Sequence, residues 1–363
     1  MAGEPVRQFD LVDNHVKLVL KDNVLAVLAD AELSVVSGAI YNGGSRKTRA
    51  ILNIEVPDSY GDRRLHDDPV AFITANAGKL ELHGDFVGLV TAAKVRNFSF
   101  VKKSHGRLAV SVVATAGCSH AESAGEDIEA QHVEGTINVI VVVDAAPLEN
   151  CLVAALATAV EAKAAAMREL DIRSRYTGDS ATGTITDSVV VAATGAGERV
   201  VLGGPASELG QLVAWCTRKA VREAIVNQGE CLPCRSVADR LRERHLPLEK
   251  LAAELSKIKS FGLDEGALVS RLAGMLKKDA VFAWGVMAAV KMDEDIEYGL
   301  CPPEFGKTTK FLNPLLMNEP AVKSRVAVNK AEYDLVDLPP ALKRVLVSKL
   351  ETDLSATRPK RLK

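Results

Sequence analysis

Long apolar runs are absent from this sequence. None approaches the roughly 18–20 residues that a bilayer-spanning helix needs. The longest candidate, Ala280 to Val290, has the length of a buried helix and is bounded by Asp279 and Lys291. The amino terminus, MAGEPVRQFD, lacks the pattern of a secretory signal. An excess of either charge is lacking too: 45 Lys and Arg stand against 47 Asp and Glu, a formal net charge of −2. That balance gives no electrostatic case for nucleic acid or a membrane as the main partner. Cysteine is sparse, six residues in 363, which excludes a disulfide scaffold. We therefore expect a soluble cytoplasmic protein with reduced thiols. Neither a dinucleotide-binding glycine fingerprint nor a phosphate-binding loop occurs, and the seven histidines form no HExxH pattern.

Apolar residue is ample, 47% against 25% charged, so the chain should bury a substantial core. Its length favours two domains, or one with an extension. VKLVL, VLAVLAD and ELSVVSGAI alternate as strands do, and Asn42-Gly43-Gly44 then marks a turn. DFVGLVTAAKVRNFSFVKK reads as a short helix feeding a strand, and RLAVSVVATAG as another strand. A strand, TINVIVVV, is followed by a helix from Leu148 to Leu170, the strand DSVVVAA and a helix from Ser207 to Asn227. This order at 136–193 permits a parallel pair through a right-handed crossover. The strands before residue 117 look antiparallel. Beyond about residue 228 strand signals nearly vanish, and SVADRLRERH, LEKLAAELSKI and ALKRVLVSKLETDL have helical spacing. The expected fold is α/β (or α+β): a mixed sheet covered by helices, with a C-terminal all-helical subdomain. The expected parts are an α/β domain over 1–228, a helical extension over 229–355 and a basic, solvated tail over 356–363.

Three segments could carry chemistry. On the helix from Leu148 to Leu170, a spacing of about 100° per residue gathers Leu152, Val153, Leu156, Val160, Met167 and Leu170 on one face, with Lys163 inside that stripe. Such a lysine must snorkel, pair with a carboxylate or shift its pKa. Glu161 lies nearly opposite, near the face of Thr158, so the two charges should have different tasks. Ala155, Ala159, Ala162 and Ala166 form a third, small-residue strip. The turn ATGTITD follows: Thr182, Thr184 and Thr186, flexible Gly183, and Asp187. Its N–H groups could hold an oxyanion, and Asp187 could pair with Lys163 or act as a base; a loop held by its own hydrogen bonds fits equally well. YNGGSRKTRAILN offers Asn42, Gly43, Gly44, Arg49 and Asn53, where two glycines allow close backbone approach to a ligand. Thr91 ends an apolar run, and Asn138 sits on an otherwise apolar strand, so it needs a partner if buried. The Cys231–Cys234 pair has the CxxC spacing of metal and redox sites. Only the fold could bring Cys301 or His245 to it, and unliganded thiols are the plainer reading. Cys118 beside His120 hints at a thiol nucleophile, with the same plainer alternative.

Together YNGGSRKTRAILN, FVGLVTAAKV, ATAGCSHA, GTINVIVVVDAAPLENCLVAALATAVEAKAAAMREL, ATGTITDSVVVAA and GGPASELGQLV resemble the adenosylcobinamide amidohydrolase family, in family order, over roughly residues 33–228. This chain departs from the family where Val160 and Ala164 replace threonines beside Glu161 and Lys163. The resemblance implies hydrolysis of the amide joining the corrin ring to the aminopropanol arm of adenosylcobinamide. The product is adenosylcobyric acid, in coenzyme B12 (cobalamin) salvage. It implies a small-molecule corrinoid partner, no cofactor and no metal of the protein's own, the cobalt belonging to the substrate. Alternatives are an amidohydrolase of a related amide or tetrapyrrole, or a non-enzymatic corrinoid-binding protein. Homo-oligomerisation stays open. Within that chemistry we expect Glu161 or Asp187 as base, Lys163 with the Gly183–Thr186 N–H groups on the oxyanion, and Thr184 or Thr186 as a variant nucleophile. Asn42, Gly43, Gly44, Arg49, Asn53, Thr91, Asn138, Thr158 and Gly183 are expected to bind substrate.

Overall fold

In the computed structural model, residues 7–13, 15–57, 68–82, 84–127, 135–230, 233–304 and 336–357 are described. They fall into two compact units, Met1–Cys234 and Arg235–Lys363.

The first unit is an α/β structure built on one nine-stranded mixed sheet. Strands β1 (Arg7–Val12), β2 (Val16–Lys21), β3 (Val24–Ser37) and β4 (Gly44–Glu55) form an antiparallel run. Strand β3 decides the shape. It pairs with β4 along both its halves, but its register shifts between Leu28 and Leu33. On the other edge its first half takes β2, and its second half takes β12 (Ser188–Ala193). An irregularity of this kind bends a strand, and the sheet folds there into two packed halves. The second half continues from β12 through β9 (Ile137–Asp144), β7 (Leu108–Ala116) and β6 (Ser99–His105).

Side-chain alternation builds the layers. Val139, Val141 and Val143 on β9, with Val189 and Val191 on β12, face helices α2 (Glu149–Glu169) and α3 (Glu208–Gln228). Ile140, Val142, Val190 and Ala192 face the other way, onto Leu18, Leu25, Val27, Ile51 and Leu89. The outer side of the first half, through Ala26, Leu52 and Ile54, packs on Ile73 and Ala77 of α1 (Pro69–Lys79). The unit is thus helix, sheet, sheet, helix. Burial on both faces explains why TINVIVVV and SVVVAA read as continuous apolar runs. Strands β9 and β12 are parallel neighbours, Asn138 in register with Ser188, joined through α2.

Three expectations are corrected. Residues Val87–Thr91 are strand β5, not a short helix: two valines and a threonine in five residues fit the pleat, where they pair with Ile51–Glu55. That β4–β5 pair is parallel, because α1 lies between the two strands in sequence and returns the chain. On α2 the buried strip is Ala155, Ala159, Ala162 and Ala166 with Cys151, Leu152 and Met167, whereas Val153 and Val160 are exposed. Alanines let the helix seat closely on the sheet, so small residues rather than the largest ones mark its inner face. Among the described residues α2 is also the one helix long and apolar enough to cross a membrane, which 280–290 is not. Half of its apolar stretch is buried in the fold.

Two short ladders complete the unit: β8 (Ala121–Glu122) with β11 (Gly183–Thr184), and β10 (Ala146–Pro147) with β13 (Arg199–Val200). The second unit is helical: α4 (Val237–Arg242), α5 (Leu248–Ser256), α6 (Glu265–Lys278), α7 (Ala280–Glu297) and α8 (Pro340–Thr357), around Leu251, Leu255, Leu268, Leu272, Phe282 and Leu346. The tail from residue 358 lies outside the described residues.

Candidate active site

Helix α2 runs back over β12, and this brings Lys163 to the residue just before that strand. Lys163 is only 7% exposed, and its ammonium is hydrogen-bonded and ion-paired to Asp187 Oδ2. The Asp187 carboxylate is saturated. Oδ2 also accepts from the Thr184 N–H at 3.1 Å. Oδ1 accepts from the Ile137 N–H at 2.8 Å and the Thr184 hydroxyl at 2.5 Å. Thr186 contacts the Thr136 hydroxyl at 2.6 Å and the Gly135 carbonyl at 3.0 Å. One turn therefore ties α2 to the starts of β9 and β12.

Any residue larger than glycine at position 183 must displace the ion pair. A Cβ there would lie 2.5 Å from Asp187 Oδ2 and 2.6 Å from Lys163 Nζ. The expected flexibility of this glycine is not its use: the ion pair occupies the space of its missing side chain.

Glu122 joins this group and was missed. Gly183 pairs with it across β8 and β11. Burial raises the Glu122 carboxyl above its ordinary range, Asp187 and Glu126 push the same way, and Lys163 pulls it back. Its segment, CSHAESAGEDIEAQHVEG, reads as polar surface loop, and nothing in its spacing points to Asp187. Glu230 steadies the stretch before it, accepting from the N–H groups of Cys118 at 2.8 Å and Ser119 at 3.0 Å.

The other candidates fall in separate places. Glu161 is exposed and lines a groove of about 930 Å³ between α2 and α3, with Trp215, Arg218 and Arg222. Thr158 is buried and donates to the Gly203 carbonyl at 3.0 Å. Asn42, at φ +57°, donates to the Phe86 carbonyl at 2.9 Å, and a Cβ on Gly43 would strike the Ala39 carbonyl oxygen at 2.4 Å. With Gly44 at φ +88°, these residues shape the β3–β4 turn. Arg49 is exposed on β4. Asn53, Thr91 and Asn138 are buried. Asn53 donates to the Thr115 hydroxyl at 2.8 Å, and Asn138 donates to Asn53 Oδ1 at 2.9 Å and to the Val90 carbonyl at 2.8 Å. These last residues gather where the starts of β9 and β12 meet the ends of β4 and β5, directly behind Asp187.

Cys118 is buried in the apolar cluster under α3. Burial pushes the Cys216 thiol up to about 12, which keeps it protonated. Cys234 is exposed, Cys301 half-buried, and Cys231 lies outside the described residues. Among the described residues no three His, Cys, Asp or Glu side chains are grouped to hold a metal ion.

A model of the adenosylcobinamide amidohydrolase family matches residues 10–233, more than half of the chain. Among relatives, an adenosylcobinamide amidohydrolase of Methanosarcina mazei is 27% identical over 220 residues, which is 58% of this chain and 98% of that protein. An uncharacterized protein of Methanocaldococcus jannaschii is 30% identical over 164 residues, 40% of this chain. The chain spans just under two thirds, 64%, of that relative's length. Among solved structures, a β-aminopeptidase of a Burkholderia species gives a TM-score of 0.32 at 12% identity, covering 58% of this chain and 79% of that one. That likeness is too weak to assign a shared fold. The sequence relationship places the chain among the amidohydrolases, hydrolases of carbon–nitrogen amide bonds. Within that class it belongs to the adenosylcobinamide amidohydrolase family, and the match extends beyond residues 33–228 at both ends.

Proposed function

We propose that this protein hydrolyses the amide between the corrin ring and the aminopropanol arm of adenosylcobinamide, in the cytoplasm. The products would be adenosylcobyric acid and aminopropanol, in coenzyme B12 salvage. The observation that carries this reading is the family match over residues 10–233, which spans every member of the Lys163–Asp187 group.

The geometry suggests a division of labour. Asp187, with four donors already on its two oxygens, has its acceptor sites filled and none left for the attacking water. Its role is to hold and aim Lys163. Lys163 has three N–H donors, and Asp187 is its one acceptor among the described residues; the others are available to the oxyanion that forms as water adds to the amide carbon. Glu122 is the proton carrier. It takes a proton from the attacking water and returns it to the nitrogen as the C–N bond breaks, so that aminopropanol leaves as a neutral amine. Thr184 and Thr186 fix the turn. The cobalt enters with the substrate.

Incubation of the purified protein with adenosylcobinamide tests the reaction by mass spectrometry. Adenosylcobyric acid and aminopropanol are expected in equal amounts; binding without product overturns the reading. Lys163→Ala should lower kcat by about a hundredfold or more, as loss of an oxyanion donor does. Glu161→Gln, in its separate groove, should leave turnover near the wild-type level.

A further inference from the structure

Polar side chains are costly between two packed sheets unless each is satisfied. The inter-sheet layer behind Asp187 is nevertheless rich in them. Asn53, Thr115 and Asn138 are each about 1% exposed. Their hydrogen bonds fix their orientations. The Val90 carbonyl can only accept, so Asn138 must turn Nδ2 toward it, and the same Nδ2 serves Asn53 Oδ1. Asn53 in turn has its Nδ2 on Thr115. The outcome is an Asn138 Oδ1 that is buried and has no hydrogen-bond partner among the described residues.

Ser188 stands beside it. The two residues are in register on parallel strands β9 and β12. Ser188 shares the inter-sheet face of Val190 and Ala192, as Asn138 shares that of Ile140 and Val142. The Ser188 Oγ is also buried and without a hydrogen-bond partner among the described residues. An oriented amide acceptor and a free hydroxyl thus lie side by side, one residue behind the Asp187–Lys163 pair.

We propose that Asn138 Oδ1 and Ser188 Oγ form a subsite for a primary carboxamide of the substrate, the first accepting its N–H and the second donating to its carbonyl. This rests on the corrinoid reading above, since a corrin rim carries such amides, and it names how that rim is held. The reacting amide lies on the Lys163 side of the strand starts; both subsite atoms are closed to solvent, so a neighbouring rim carboxamide meets them only as it displaces the strand ends that cover them. Leaving a buried acceptor unpaired costs roughly 1–3 kcal/mol, so a ligand that satisfies both atoms is favoured over one that cannot.

The test is direct binding by calorimetry, which needs no turnover. Adenosylcobyric acid, with its rim amides, is compared with a corrinoid in which those amides are methyl esters. Wild-type protein should prefer the amide form by about tenfold or more, because a site built to hydrogen-bond a group rejects the analogue without it. Ser188→Ala should bind both forms several-fold more weakly than wild type, because an ester carbonyl accepts from the Ser188 hydroxyl as an amide carbonyl does, and should keep the preference, which reports the N–H accepted by Asn138 Oδ1. Its melting temperature should be unchanged or higher, because an unpaired buried hydroxyl is removed. Ser188→Thr, which keeps the hydroxyl, should restore affinity for both forms. If wild type shows no preference or does not bind the amide form, or if Ser188→Ala binds both forms within about twofold of wild type, the subsite does not exist. Failure of the proposed reaction reads differently: the preference persists, but wild type makes no adenosylcobyric acid from adenosylcobinamide.

Discussion

Gly183 concentrates the logic of the site at a single residue. The ion pair of Lys163 and Asp187 stands where its side chain would be, so Gly183→Ala must push the two charges apart or move the turn. We expect a stability loss of about 1–3 kcal/mol, the usual cost of overpacking, with kcat falling as far as in Lys163→Ala. Thermal melts and steady-state rates check this; a Gly183→Ala enzyme with normal kcat would show that the pair is not needed. Glu122 gives a second test, through pH. Its carboxyl is raised above the ordinary range by burial first and by Asp187 and Glu126 next. A base must be ionised to start the reaction, so activity should climb as pH rises through that raised value, above the usual carboxylate range. Glu122→Gln should lower kcat and remove that acid-side limb. A limb unchanged in Glu122→Gln would transfer the proton to another group. Lys163 was legible in the sequence as a charge that needed a partner, and Asp187 as an offered one. Glu122 was not, because its place depends on a two-residue ladder that carries no periodic signal.

Among the elements, α2 was the most readable in extent and the least in orientation. Its length follows from unbroken helix formers between Glu149 and Glu169. Its inward face follows from what the sheet can accommodate, and β9 and β12 accept alanines. Helix α8 gives an element-scale prediction. Its first N–H groups, at Ala341 and Leu342, donate to the Asp293 carboxylate of α7 at 2.8 and 2.9 Å. Burial pushes Asp293 up, the two N–H bonds pull it down, and the net shift is upward. The folded protein then holds this proton at a pH where the unfolded chain has released it. Stability is therefore greatest below the ordinary aspartate value and falls as pH rises through the folded one. Asp293→Asn keeps an acceptor and should flatten that dependence. Asp293→Ala should cost about 1–2 kcal/mol, as a lost helix cap does. Urea melts at several pH values separate the two; equal stability of both variants would mean that the cap contributes nothing.

For the whole molecule, the contacts divide at Cys234 and Arg235, and the family match ends at residue 233. The sequence puts the change of composition near residue 228, where α3 stops. The difference has a physical consequence, because Glu230 lies between the two positions and holds the Cys118–Ser119 backbone that leads to Glu122. A chain of residues 1–234 should fold and keep turnover near that of the full protein. A chain ending at 228 should fold but lose activity, with faster amide exchange at Cys118 and Ser119. Equal activity of the two truncations would remove Glu230 from the account.

The sequence by itself determined which segments are strands or helices wherever a long run repeats one period. It also determined the family, because six blocks of residues occur in family order. Tertiary structure decided the rest. A register shift in β3 folds the sheet into two halves, and pairing partners are non-local, so no window of residues reports them. Lys163 meets Asp187 because α2 returns antiparallel over β12, whereas Glu161, two residues away on the same helix, is turned to a different surface. The turn ATGTITD offered hydroxyls and a carboxylate without saying which would be satisfied. Packing settled that: Asp187 is filled by four donors, and Ser188, the next residue, is left with none.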